Sequence, residues 1–317
     1  MLGTSSDSDL AAERRAGTIA GAVAYSLWGV FPLVFHRLSS VGAGEILMHR
    51  VVWSFGVVAV VLALRGDRHW LAAVRAQPGA LPRLAAAAVL VATNWLVYVW
   101  AVNHDHVVEA ALGYYINPLI TVALAVVVLR EQLRRLQLVA LGFGAGAVAV
   151  LTVAYGRVPW IALVLACTFA SYGFIKKAVP VRALASVGTE TLVLLPLALG
   201  GLLVMEVRGD AAFMHGSVGR DLLLAGLGVI TVVPLALFGA AARRIPLSLL
   251  GLLQYLTPTL QLVCGVAILG EPLPPERLAG FVLVWVALAV LTFDVLGSAR
   301  RLDRDEPEDP LPVAEAA

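Results

Sequence analysis

The chain has 317 residues, of which 60% are hydrophobic and 14% charged, with a formal net charge of +2 and a mean hydropathy of +0.88. A soluble globular domain is nearer 45–50% apolar and about 25% charged. That balance excludes an ordinary soluble protein, and no nucleic-acid partner is expected. Charges sit between long apolar runs, and ten runs approach the ~20 residues that a helix needs to cross a bilayer core. The runs are 17–36, 44–64, 83–102, 107–129, 134–153, 158–176, 187–205, 221–242, 247–269 and 277–297. The fold class expected is all-α, a polytopic membrane protein in the cell membrane.

In chain order, residues 1–16 form a cytoplasmic segment. Asp7, Asp9 and Glu13 precede an apolar run too long for a signal-peptide core. Span 2 opens with Glu45-Ile-Leu-Met-His49-Arg50. Glu45 and His49 share a helical face that Trp53 continues, and Arg50 lies about 100° round. Ionisable groups within a span cost about 2.5–3.5 kcal/mol each on insertion scales. Two accounts fit: an interfacial turn whose charges pair or snorkel outward, or a cavity lining that binds substrate or carries a proton. Span 3 places Asn94 and Tyr98 on one face, either lining a cavity or joining helices. Span 4 offers Glu109, Tyr114, Asn117 and Pro118, with Tyr114 and Asn117 three residues apart. Cys167 and Cys264 fall inside spans and read as small apolar fillers, with no loop disulfide. Span 9 carries Gln254, Thr257 and Gln261 as a polar stripe, beside Tyr255 and Pro258. Residues 298–317 are Arg-, acid- and Pro-rich and read as a disordered cytoplasmic tail.

The chain repeats itself at an offset of 140. Gly113-Tyr-Tyr-Ile-Asn-Pro118 leads to Glu131, and Gly251-Leu-Leu-Gln-Tyr-Leu-Thr-Pro258 leads to Glu271; both Pro-to-Glu spacings are 13. Tyr115 matches Tyr255, Leu129 matches Leu269 and Leu138 matches Leu278. Fainter matches pair Trp28-Gly29 with Tyr172-Gly173, and Glu45 with Glu190. The expectation is two five-span repeats, 17–153 and 157–297. Pro118 and Pro258 are expected to interrupt their helices, whether at a cavity or as packing kinks. Glu131 and Glu271 are expected to stabilise the start of the next helix through its dipole.

With the N-terminus inside, 17 Lys and Arg lie in inside segments and 5 in outside loops, a strong positive-inside bias. Both termini are then cytoplasmic. Five spans per half is an odd number, so the second repeat enters inverted. Arg134-Arg135 inside becomes Pro274-Pro275 outside, and Asp105-His106 outside becomes Arg243-Arg244 inside.

Walker A, G-x-S-x-G and H-E-x-x-H sequences are absent. Neither a metal nor a cofactor is expected, and transport would be gradient-driven or facilitative. An intramembrane lipid enzyme would want paired carboxylates or a metal cluster, and only Glu45/His49 comes near. A scaffold would not require polar residues in matched spans.

The segments Glu45–Arg50, Asn94-Trp95-Leu-Val-Tyr98-Val-Trp100-Ala-Val-Asn103, Glu109–Pro118 and Leu253-Gln254-Tyr255-Leu-Thr-Pro258 resemble the drug/metabolite transporter superfamily, specifically EamA-type permeases of the RarD group. The resemblance covers about residues 17–297. It implies ten helices in two inverted five-helix repeats and alternating-access transport of a small molecule, in a group whose name is tied to chloramphenicol sensitivity. Expected cavity residues are Glu45, His49, Arg50, Asn94, Tyr98, Tyr114, Asn117, Gln254, Tyr255 and Gln261. Glu45, His49 and Glu109 are the candidates for proton coupling. Expected partners are a small-molecule substrate, the lipid bilayer and protons.

Overall fold

The computed structural model describes residues 7–130, 132 and 134–305, so Glu131 and the last twelve positions lie outside the described residues. Described regular elements are all helical. α1 (Asp7–Gly29) and α2 (Phe31–His36) together make the first span, with the axis turning at Val30 just ahead of Pro32. α3 (Ala43–Leu64), the short α4 (Trp70–Arg75), α5 (Ala80–Asn103), α6 (Val107–Leu129) and α7 (Arg135–Tyr155) complete the first half. The second half holds α8 (Trp160–Lys177), α9 (Ala183–Arg208), α10 (Val218–Ala242), α11 (Leu247–Leu253), α12 (Leu256–Val263) and α13 (Pro275–Asp305). Nine spans among the described residues are long and apolar enough to cross a membrane. The tenth, α8, has 18 residues, about 27 Å at 1.5 Å per residue, close to a ~30 Å hydrocarbon core.

The two prolines behave differently. Pro258 lies just after a break: α11 ends at Leu253, α12 begins at Leu256, and a π-helical turn (Cys264–Ile268) completes the ninth span. Proline strips the donor that would bind the carbonyl four residues earlier, here that of Gln254. Pro118, by contrast, sits inside an uninterrupted α6, contrary to expectation. α6 is clamped there, because Gly113 lies against the backbone of Ala162 in α8, whereas nothing lies within 4 Å of a Cβ built on Gly251. At the C-terminus, α13 runs to Asp305 rather than ending near residue 297. No helix breaker intervenes between Gly297 and Pro307.

The packing carries the duplication. α6 packs on α8, and α12 packs on α1; α3 packs on α10, and α9 on α5; α1 packs on α10, and α8 on α5. α7–α13, α3–α9 and α6–α12 pair equivalent helices. These principal contacts of one half thus have counterparts when the halves are exchanged. Details follow the same rule. A Cβ on Gly113 would lie 2.8 Å from the Ala162 carbonyl, and one on Gly21 would lie 3.0 Å from Leu253, which is Gly113 plus 140. Helices in lipid approach through such small residues, because no hydrophobic effect drives them together. The backbone at Arg130 (φ 55°) and at Gly270 (φ 74°), also 140 apart, is left-handed.

Gly113→Ala is expected to cost about 1–3 kcal/mol through overpacking against a backbone that cannot retreat. Gly142→Ala, where a Cβ meets nothing within 4 Å, is expected to be neutral within ~0.5 kcal/mol. Thermal unfolding of the two variants in one detergent distinguishes them.

Candidate functional site

Three buried glutamates hold backbone amides far away in sequence. Glu271 takes both amides at the start of α6, Val107 N at 2.6 Å on Oε1 and Val108 N at 2.9 Å on Oε2. It therefore stabilises a helix start, but that of the fourth span rather than of the next helix, α13. The first amides of a helix have no partner within it, and a carboxylate satisfies them while facing the positive end of its dipole. Glu109, in the first turn of α6, does the same for α8: it accepts Ile161 N at 3.2 Å and Arg157 Nη2 at 3.0 Å. Glu45, in the first turn of α3, accepts Ala212 N at 2.8 Å and Phe213 N at 3.1 Å from the loop between α9 and α10. That loop is also tied by Arg220, which donates to the Ala212 carbonyl.

His49 lies beside this loop, its ring 4.7 Å from that of Phe213. Trp53 Nε1 donates to His49 Nδ1 at 3.3 Å, so the ring proton sits on Nε2, 3.9 Å from Glu45. In the second half, Glu190 occupies the place of Glu45 but is paired. Lys176 Nζ reaches it at 2.5 Å, Ser186 at 2.8 Å and Tyr172 at 3.0 Å, and Lys176 also donates to the Ser186 hydroxyl.

Arg50 is 4% exposed. Its Nε donates to Thr231 Oγ1 of α10 at 2.9 Å, and the guanidinium lies 3.9 Å from the Trp95 ring, 5.6 Å from Phe35 and 5.8 Å from Phe31. Among the described residues no carboxylate lies within 4.0 Å of it, and its terminal nitrogens have no acceptor. A guanidinium has five N–H donors; Thr231 takes the one on Nε, and the four on the terminal nitrogens are left without a protein acceptor, which a cation–π contact does not supply.

The aromatic cluster extends from Phe35 to Tyr98 (5.9 Å) and on to Tyr114 (5.8 Å). Tyr114 Oη donates to Asn94 Oδ1 at 3.1 Å, while Asn94 Nδ2 donates at 3.0 Å to both Leu165 O and Thr168 Oγ1. Asn94 thus joins α5, α6 and α8. The Tyr98 hydroxyl, although buried, has no partner.

The polar stripe of the ninth span also joins helices. Thr257 Oγ1 donates to Tyr25 O at 2.8 Å and Gln261 Nε2 to Trp28 O at 3.3 Å, both on α1. Gln254 sits at the break before α12, outside that seam, and Tyr255 packs against the second large core cluster with Phe281 and Leu288. Asn117 is buried with its Oδ1 unpartnered. Arg50, Tyr98, Tyr114 and Asn94 are therefore brought together; Glu45 and His49 stand beside the 210–213 loop; Glu109, Asn117, Gln254, Tyr255 and Gln261 lie elsewhere. Sequence reasoning missed Thr231, Phe31, Phe35 and the Lys176–Ser186 pair. An apolar helix with one hydroxyl, or an ordinary aromatic, carries no local signal of such a contact.

An all-helical bundle of duplicated halves, with buried polar groups at the helix contacts between them, is the architecture of a multi-pass membrane transporter. The model of the EamA-like transporter family matches residues 15–153. A RarD protein of Streptomyces exfoliatus is 49% identical over 91% of this chain and 92% of its own. An uncharacterized transporter of Pseudomonas aeruginosa is 44% identical over 92% and 98%. A solved crystal structure, 20% identical, superposes with a TM-score of 0.57 over 87% of this chain and 97% of that one, a likeness of fold alone. The chain belongs to the RarD-type permeases of the EamA family, in the drug/metabolite transporter superfamily. Its substrate is a small molecule and its setting the bacterial cell membrane.

Glu271→Ala leaves two amides at the start of α6 without a partner and is expected to lower stability by about 1–3 kcal/mol. Burial raises the Glu271 carboxyl above its ordinary pKa of 4.5, against the lowering effect of its two amide bonds. The folded state then holds the proton more tightly than the unfolded chain. This group's contribution to stability falls as pH rises from 4.5 through the raised value. Melting curves from pH 4 upward should show that slope in the wild type and not in Glu271→Ala.

Proposed function

We propose that the chain is a secondary transporter that moves a small metabolite or drug-like molecule outward across the cell membrane by alternating access between its two inverted repeats. The observation that carries this reading is the exchange symmetry of the helix contacts, which supplies two equivalent ways of packing one half on the other. On the positive-inside reading, both termini are cytoplasmic, and Glu45, Glu109 and Glu271 all lie at the outer end. Their amide contacts close that end in this conformation.

Protons are the proposed coupling ion, and Glu45 their carrier. A carboxylate accepts both loop amides on one oxygen, at 2.8 and 3.1 Å; protonation weakens that grip and frees the 210–213 loop. His49 Nε2 lies 3.9 Å from the same carboxylate. Glu109 is the weaker candidate, since Arg157 and the Ile161 amide already occupy its two oxygens.

Proteoliposome flux with a metabolite panel tests the function directly: pH-gradient-dependent transport of at least one compound is expected, and leakage equal to empty vesicles contradicts it. Glu45→Gln keeps the shape and removes the titration. It is expected to abolish the pH dependence and to lower gradient-driven flux at least tenfold; unchanged flux and pH response would make Glu45 purely structural. Orientation is tested with single cysteines at the exposed Ser39 and Gln77, in a background lacking Cys167 and Cys264. An impermeant reagent should label Ser39→Cys in intact cells and Gln77→Cys only after permeabilisation.

A further inference from the structure

Arg50 differs from every other buried charge in the described part of the molecule. Glu45 and Glu271 accept amides, Glu109 has Arg157, Glu190 has Lys176, and Asp294 has Arg134. Arg50 has neither a carboxylate nor a set of backbone groups to compensate it. It receives one hydroxyl, Thr231, and three aromatic faces. Those groups come from α2, α5 and α10, so elements of both halves meet at this guanidinium. It also lies only five residues beyond Glu45 on α3, about 7.5 Å along the axis at 1.5 Å per residue, just beneath the 210–213 loop. The Tyr98 hydroxyl, buried and unpartnered in the same aromatic cluster, is a second donor.

We propose that Arg50 is the anion seat of the transport site and that the substrate class is a small organic anion with a single carboxylate. Its carboxylate pairs with the free edge of the guanidinium, and its apolar body lies against Trp95, Phe31 and Phe35. A planar guanidinium with two unfilled edge nitrogens matches a carboxylate in a bidentate pair. One cation balances one negative charge, and the apolar walls disfavour a doubly charged phosphate. The proposal rests on the transporter reading above.

The test is equilibrium binding of radiolabelled benzoate to the purified full chain in neutral detergent, with benzamide, inorganic phosphate and phosphatidylglycerol as competitors. Saturable benzoate binding is expected, with benzamide and phosphate each at least tenfold weaker and phosphatidylglycerol ineffective. Arg50→Lys keeps the charge and loses the fork, and should weaken binding at least tenfold; Arg50→Gln should abolish it. Without probe, Arg50→Met should melt at or above the wild type, because removing an unpaired buried cation relieves the fold. Absence of benzoate binding by the wild type, equal binding of benzamide, or binding retained by Arg50→Gln overturns the proposal. So does a melting temperature several degrees lower in Arg50→Met, which makes Arg50 a structural residue. Competition by phosphatidylglycerol replaces the solute with a lipid headgroup and overturns the substrate class. Benzoate binding without flux leaves the seat standing and removes the transporter reading; flux indifferent to Arg50 does the reverse.

Discussion

A carboxylate holding the amides at the start of a distant helix is the contact on which this bundle most depends. In hydrocarbon there is no water to satisfy the first amides of a helix, so each unfilled one costs as much as a lost buried hydrogen bond. Glu271 fills two of them for α6, and Glu109, one turn into α6, fills one for α8. The two contacts form a relay from the second half into the first and back. Partners of Glu271 and Glu45 lie more than 160 positions away in the chain. They tie the halves to each other at one end of the bundle, where lipid-exposed apolar surface contributes no association energy.

The polar groups inside the membrane thus divide by how completely the protein satisfies them. Asn94 has every amide atom engaged, and the α12 stripe spends the Thr257 hydroxyl and the Gln261 amide N–H on carbonyls of α1 three residues apart, leaving Gln261 Oε1 unfilled. Such groups act as links between helices. Arg50 and Tyr98 keep donors unfilled in one aromatic cluster. Glu45 stands between the two kinds: its bonds are made to a loop rather than to a helix, so they can be released without dismantling a span. A transport site needs this arrangement, with rigid links around it and unfilled groups at its centre.

Much of this was legible in the sequence, for definite reasons. Apolar run lengths set ten spans because a bilayer has one thickness. The 140-residue offset reappears in the packing, because equal segments bury equal faces. The left-handed Arg130 was less visible than its glycine counterpart, Gly270. Local chemistry located the break before Pro258, yet the same chemistry at Pro118 did not decide the outcome, since α6 is clamped by α8 at Gly113. Glu271 was readable as a cap but not as a cap for α6, because its target is fixed by tertiary packing. Arg50 was visible as a charge in a span; its lack of a carboxylate partner depends on four elements that no spacing rule connects.

Hydrogen exchange measured by mass spectrometry, with the protein in lipid nanodiscs, tests the relay most directly. Segments 105–112, 158–163 and 210–216 contain the amides held by Glu271, Glu109 and Glu45. Each glutamate-to-alanine substitution should raise exchange in its own distant target segment and leave the other two near wild-type protection. Exchange that rises only around the substituted residue, or evenly over the whole bundle, would contradict the account.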